Sequence, residues 1–151
     1  MHLPWRGVPP AEDAQPISTS LTVNEAQALA GAKHVTAADP HTWLNSHDAM
    51  TANLDACGVT DVVTIVRGTS PAALDGLGPF GLVFIDGDHA AEAVAADVAA
   101  ARAVLADGGV LAVHDFGETC CCPGVRQAMD ILFPGGPSEQ VDTLAIYREV
   151  A

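Results

Sequence analysis

The segment that decides the fold is residues 80–116, FGLVFIDGDHAAEAVAADVAAARAVLADGGVLAVHDF. It holds two short apolar runs, at 82–85 and 110–113, separated by an alanine-rich segment of roughly 17 residues. Within that segment apolar side chains recur at helical spacing, at Val94, Val98, Ala101 and Leu105. The pattern predicts a strand, a helix and a second strand. A right-handed crossover makes the two strands parallel.

Ionisable residues follow both apolar runs. The first run leads into Asp86-Gly87-Asp88-His89 and the second into His114-Asp115. Because parallel strands end at the same edge of a sheet, we expect these two clusters to lie close together. Open α/β sheets bind their ligands at that edge, so the sequence predicts an active site there.

Composition limits the classes of function. The chain has 151 residues, 49% of them hydrophobic, which fits one domain with a sizeable core. Its formal charge is −13, from 19 acidic and 6 basic residues, and such a surface repels nucleic acid. No apolar run is long enough to span a membrane.

Targeting and cysteine patterns point to the cytoplasm. The first residues, MHLPWRGVPP, carry no apolar core of a signal peptide. Three of the four cysteines are adjacent, Cys120, Cys121 and Cys122, which is not a spaced disulfide framework. We interpret them as loop cysteines without a dedicated role, in preference to a redox or zinc site.

The rest of the chain alternates between helices and strands. Residues 1–19 are predicted as an irregular N-terminal arm and residues 20–151 as one α/β domain. Predicted helices are 20–30, 45–56, 71–74 and 125–133, and predicted strands are 33–39, 61–66 and one within 140–150. This alternation predicts a doubly wound, mostly parallel sheet.

These residues resemble the class I S-adenosylmethionine-dependent methyltransferases. The likeness is greatest to the small O-methyltransferases with FIDGDH after one strand and GGV-x-x-x-HD at the next, and PGVRQAMD at 123–130 extends it. It covers residues 17–149 and implies a Rossmann-like fold, S-adenosylmethionine as methyl donor and, in the metal-dependent members, a divalent cation such as Mg²⁺.

One part of the family pattern is missing. The family begins with a strand and a glycine-rich loop that approaches the methionine part of the cofactor, where only glycine permits close approach. The corresponding stretch is 12–19, EDAQPIST, and no glycine lies between Gly7 and Gly31. We therefore expect a truncated or rearranged N-terminus without a normal first strand. Because an absent central strand leaves an edge unpaired, we also expect a homo-oligomer.

The resemblance implies roles for the residues at the predicted sheet edge. Asp86, His114 and Asp115 match metal-ligand positions, Asp86 also lies at the cofactor site, and His89 matches a general base that takes a hydroxyl proton. Asp86, Asp115 and His89 also have structural alternatives: the aspartates cap strands or helices, and His89 is a solvent-facing residue at a helix start.

The cofactor residues implied by the resemblance are fewer. Asp39 ends the predicted strand 33–39, where a carboxylate accepts the ribose hydroxyls. The alternative, which we favour less, is a turn aspartate before Pro40. Thr69 and Ser70 follow the strand 61–66 and fall near the expected adenine pocket.

Three hypotheses follow from the sequence. The leading one is an S-adenosylmethionine-dependent O-methyltransferase acting on a hydroxyl of a small molecule with the help of a divalent metal. The second is a non-catalytic binding or dimerisation module that lacks the cofactor loop. The third is a metal-dependent enzyme on the same scaffold that does not use S-adenosylmethionine.

Overall fold

The computed structural model describes residues 33–41, 46–117 and 122–148. The predicted N-terminal arm, the helix 20–30, the stretch 12–19 and the cysteines Cys120 and Cys121 lie outside these residues. The described strands are β1 (Val35–Asp39), β2 (Val63–Arg67), β3 (Phe80–Ile85), β4 (Leu105–Val113), β5 (Glu139–Val141) and β6 (Leu144–Arg148). The helices are α1 (Ser46–Ala56), α2 (Ala91–Val104) and α3 (Pro123–Leu132).

The chain divides into two compact units. Of the described residues, the first unit comprises 33–37, 41 and 46–65, and the second comprises 38–40, 66–117 and 122–148. The core of the first unit contains Met50 and Leu54 from α1. They pack against apolar side chains of β1 and β2, which pair in a two-stranded sheet.

The predicted βαβ unit forms the centre of the second compact unit. Strands β3 and β4 are parallel, with Leu82 opposite Val110 and Ile85 opposite Val113. The register shifts near the start of β4, where Phe80 pairs with Leu105. Helix α2 connects the strands and buries the helically spaced Val94, Val98 and Ala101, as predicted.

A hairpin completes the four-stranded sheet, whose order is β3-β4-β6-β5. Strand β6 runs antiparallel to both β4 and β5. The sequence predicts one strand in this region, and the second, β5, is an addition. The turn between them uses Asp142 at a φ of 55°, a conformation that aspartate tolerates better than most residues. The sheet is thus mixed, and the α/β architecture is Rossmann-like, as expected.

The structure differs from the prediction at several boundaries. Leu105, predicted on the helix, is the first residue of β4, which begins five residues before the predicted run 110–113. The segment predicted as a strand at 61–66 begins with a 3₁₀ turn, Thr60–Val62, before β2. The segment predicted as a short helix at 71–74 is a 3₁₀ turn, Ala72–Leu74. Helix α2 starts only at Ala91, because the Asp88 carboxylate accepts the Ala90 N–H at 2.8 Å and forms a turn first.

Among the described residues no helix is long and apolar enough to cross a membrane.

Helix α3 packs against α2 and the sheet through Val125, Ala128 and Met129. Beside them Tyr147 of β6 is buried at 3% exposure and lies between the rings of Phe116 and Phe133. Burial, aided by the negative charge of Asp130, raises the pKa of Tyr147 to about 12. The neutral phenol is therefore favoured in the folded protein.

This shift predicts a loss of stability in alkali. Between pH 10 and about 12 the unfolded chain releases the Tyr147 proton while the folded protein keeps it. The free energy of unfolding should therefore decrease with rising pH, by up to roughly 2 to 3 kcal/mol from this residue. Urea unfolding of the wild type and of Tyr147→Phe across this range measures the difference. Parallel pH profiles for the two proteins would contradict the shift.

Candidate active site

The in-register pairing of β3 and β4 brings the two ionisable clusters together. Ile85 and Val113 are the last residues of their strands and lie opposite each other. The ladder continues one step, because the His114 N–H donates to the Ile85 carbonyl at 3.0 Å. The His114 Nδ1 and Asp86 Oδ1 atoms are consequently 3.1 Å apart. The predicted meeting of the clusters at one sheet edge is confirmed.

Asp115 lies between two histidines. Its Oδ2 atom is 3.0 Å from His89 Nε2, and its Oδ1 atom is 3.5 Å from His114 Nδ1. The Asp115 side chain is only 20% exposed, and its φ of 58° lies in the left-handed region. The next residue is held by a bond from the Phe116 N–H to the Thr143 carbonyl at 2.8 Å.

His89 has a second contact, which the sequence does not predict. Its Nδ1 atom lies 3.2 Å from the Sγ atom of Cys122, the residue immediately before α3. Gly124 in the first turn of α3 packs directly on the backbone: a Cβ there would overlap the His89 carbonyl oxygen and approach Ala91 N to 2.9 Å. Glycine therefore lets α3 begin against the His89 loop. The feature of the sequence that could have indicated this contact is Pro123-Gly124, which follows Cys122 directly at the start of a helix.

Thr143 makes a contact with His114 that the sequence does not predict. Its Oγ1 atom lies 3.3 Å from His114 Nε2. In a neutral ring whose Nδ1–H donates to Asp86, Nε2 accepts from the threonine hydroxyl. If Nδ1 instead bound a metal ion, the Nε2–H would donate to Thr143 and hold the ring orientation. The residue lies in the turn of the β5–β6 hairpin, which gives no motif in the sequence.

In the part of the chain that the structure describes, two sets of donor atoms are close enough for a metal ion. One is Asp86, His114 and Asp115, and the other is His89, Asp115 and Cys122. Within each set the donor atoms all lie within 4.8 Å of one another. The first set is the one that the family resemblance implies, and Asp115 belongs to both.

Asp39, Thr69 and Ser70 form a separate group at the ends of β1 and β2. The Gly68 N–H donates to the Asp39 carbonyl at 3.2 Å, so the carboxyl ends of these strands are adjacent. The Ser70 hydroxyl donates to Asp97 of α2 at 2.5 Å, which ties the loop after β2 to that helix. Asp39 and Thr69 are exposed and Ser70 is partly buried.

Comparison with known protein families decides the class of protein. The family model for a methyltransferase domain matches residues 18–116. The chain belongs to this methyltransferase family. The resemblance to class I S-adenosylmethionine-dependent methyltransferases is therefore confirmed, and with it the assignment as an enzyme.

Solved structures of similar fold agree with this assignment. Cofactor-bound Rv0187 from MTB has 19% identity and a TM-score of 0.63, over 89% of this chain and 82% of that one. The O-methyltransferase from Bacillus cereus in complex with SAH has 14% identity and a TM-score of 0.58, over 87% and 82%. The O-methyltransferase TomG from Streptomyces achromogenes in complex with SAM has 16% identity and a TM-score of 0.55, over 80% and 74%. No curated protein matches the sequence.

The left-handed backbone at Asp115 predicts which substitutions the site tolerates. Asparagine adopts this conformation more readily than alanine, so Asp115→Asn should be more stable than Asp115→Ala by about 1 kcal/mol. Urea unfolding of both variants measures the difference. Equal stability of the two, or a more stable alanine variant, would show that the conformation is not constraining the site.

Proposed function

We propose that this enzyme transfers a methyl group from S-adenosylmethionine to a hydroxyl of a small molecule with the help of a divalent metal ion. The observation that carries the proposal is the convergence of Asp86, His114 and Asp115 where β3 and β4 end in register. The family match supports methyl transfer. The structures named above as O-methyltransferases in complex with SAM or SAH support the cofactor and a hydroxyl acceptor.

The chemistry of Asp86, His114 and Asp115 fits a divalent cation. The set offers two carboxylates and one imidazole. His114 Nδ1 lies 3.1 Å from Asp86 Oδ1 and 3.5 Å from Asp115 Oδ1. Such ligands suit Mn²⁺, Fe²⁺ or Zn²⁺ as well as Mg²⁺. The side chains of Asp86 and His114 are 43% and 40% exposed, so a substrate can approach them. A bound cation would supply Lewis acidity that favours the ionised form of a substrate hydroxyl.

His89 is the proposed general base. The Asp115 carboxylate beside Nε2 favours the tautomer with its proton on that nitrogen. Nδ1 is then the proton acceptor, and it faces Cys122. The substrate hydroxyl therefore has to approach His89 Nδ1 from the side on which the Cys122 thiol lies. Asp115 acts here as a positioning residue for the base.

Asp39, Thr69 and Ser70 are the proposed contacts of the cofactor, which supplies the methyl group on its sulfonium. The exposed Asp39 carboxylate, at the end of β1, suits the two ribose hydroxyls, and Thr69 and Ser70 suit the adenine side. The bond between Ser70 and Asp97 fixes this loop before the ligand binds. Pre-formed contacts help to align the methyl group with the attacking oxygen, and alignment supplies much of the catalysis in such displacements.

The family match disfavours the hypotheses of a non-catalytic module and of a metal enzyme without S-adenosylmethionine. A small-molecule acceptor and a homo-oligomer stay predictions, as does a location in the cytoplasm.

Binding of S-adenosylhomocysteine tests the cofactor site. Titration calorimetry should show micromolar binding, weakened about 10- to 100-fold in Asp39→Ala because hydrogen bonds to a charged carboxylate are lost. Asp61→Ala is the matched control: it removes an exposed carboxylate before β2 begins and should leave the affinity unchanged. Absence of binding by the folded wild type, with and without Mg²⁺ or Mn²⁺, would contradict the methyl-donor assignment.

Binding of Mn²⁺ tests the metal site. Electron paramagnetic resonance of unbound Mn²⁺ should reveal one tight site in the wild type. Asp86→Asn should weaken it by at least about tenfold, because a charged ligand becomes neutral. Asp107→Asn, which changes an exposed carboxylate in the first half of β4, should bind Mn²⁺ like the wild type. Equal affinity in Asp86→Asn and the wild type would exclude this site.

A further inference from the structure

We propose that His89, Asp115 and Cys122 form a second metal site, selective for Zn²⁺, beside the set that contains Asp86 and His114. The evidence is a continuous line of contacts, with 3.2 Å from Cys122 Sγ to His89 Nδ1 and 3.0 Å from His89 Nε2 to Asp115 Oδ2. One donor atom from each residue can be chosen so that all three lie within 4.8 Å of one another.

The spacing suits a tetrahedral ion. Zinc–sulfur bonds of about 2.3 Å and zinc–nitrogen or zinc–oxygen bonds of about 2.0 to 2.2 Å place neighbouring ligand atoms roughly 3.3 to 3.7 Å apart. The observed contacts of 3.2 and 3.0 Å involve opposite nitrogens of the His89 ring, Nδ1 and Nε2. One of these nitrogens would bind the ion, so the imidazole has to rotate until that nitrogen faces both Cys122 and Asp115. The three donor atoms start within 4.8 Å of one another and would draw closer to the tetrahedral spacing on binding.

Each ligand comes from a segment that the backbone already fixes. Cys122 is buried at 7% exposure at the start of α3, and Gly124 holds that helix start against the His89 backbone. Asp115 is held by its left-handed conformation and by the Phe116–Thr143 bond after it. The His89 side chain is 42% exposed, which leaves its solvent side open to a water molecule as the fourth ligand.

The ligand types determine the metal. A thiolate is a soft ligand, which selects Zn²⁺ over Mg²⁺. Cys, His and Asp are all zinc ligands, and three protein ligands with one open position is an arrangement that zinc adopts. The other set has two carboxylates and an imidazole and contains no sulfur. The two sets therefore differ in their metal preference although Asp115 belongs to both.

One consequence rests on the proposed function. Zinc at this site would bind His89, which is the proposed base, and Asp115, which is a proposed ligand of the other cation. Occupation by Zn²⁺ would therefore inhibit methyl transfer, so the cysteine would make the enzyme sensitive to zinc.

Cobalt substitution tests the site without cofactor or acceptor, so its result does not depend on methyl transfer. Co²⁺ added to the reduced protein of 151 residues should produce a thiolate-to-cobalt charge-transfer absorption at one equivalent, and Zn²⁺ should abolish it. Loss of a residue that only hydrogen-bonds to a metal ligand already weakens metal sites about 10- to 100-fold. Cys122→Ser and His89→Gln remove a ligand itself and should weaken binding by at least about 100-fold.

The controls separate this site from its neighbours. Cys57→Ser and the double variant Cys120→Ser/Cys121→Ser should keep the absorption, since neither changes a proposed ligand. Asp86→Asn should also keep it, because Asp86 belongs only to the other set. Circular dichroism checks folding, and Cys122→Ala serves if Cys122→Ser is unfolded. The proposal is overturned by absence of the band in the folded wild type, its persistence without Cys122, or its loss in the double variant.

Discussion

The site depends on the in-register parallel pairing of β3 and β4. Because Ile85 lies opposite Val113, the first residues after the two strands, Asp86 and His114, are neighbours although 28 positions separate them. A shift of one residue would turn alternate side chains to the other face and separate this pair. The buried side chains of α2 oppose such a shift, since they fit against one face of the sheet. Core packing thus fixes the chemistry at the edge.

Asp115 links the separate parts of the site. Its carboxylate lies between His89 and His114, so each histidine ring has a carboxylate oxygen within 3.5 Å. At 20% exposure this carboxylate is shielded from water more than either imidazole, which strengthens its interactions with both rings. The same position allows it to be a metal ligand on one side and to orient the base on the other. The left-handed backbone aims it there, and few residue types adopt that conformation easily.

The sequence predicted the parts of the fold that follow from hydrophobic periodicity. The βαβ unit, its buried helix face and the meeting of Asp86 with His114 and Asp115 all follow from strand polarity and helical spacing. The contacts of Cys122 and Thr143 could not be predicted, because they depend on where a helix start and a hairpin turn pack in three dimensions. The β5 strand was also missed. It has three exposed residues and therefore no apolar alternation to reveal it.

The two contacts that the sequence does not reveal define how the histidines can act. Thr143 occupies His114 Nε2, so Nδ1 is the nitrogen that faces Asp86. Cys122 occupies His89 Nδ1, so Nε2 is the nitrogen that faces Asp115. The rings therefore present opposite nitrogens to the carboxylates, although both follow parallel strands. A motif can supply a histidine at a strand end, but the neighbours of its second nitrogen decide whether it serves as a metal ligand or as a base. In this enzyme those neighbours come from the segment after the βαβ unit.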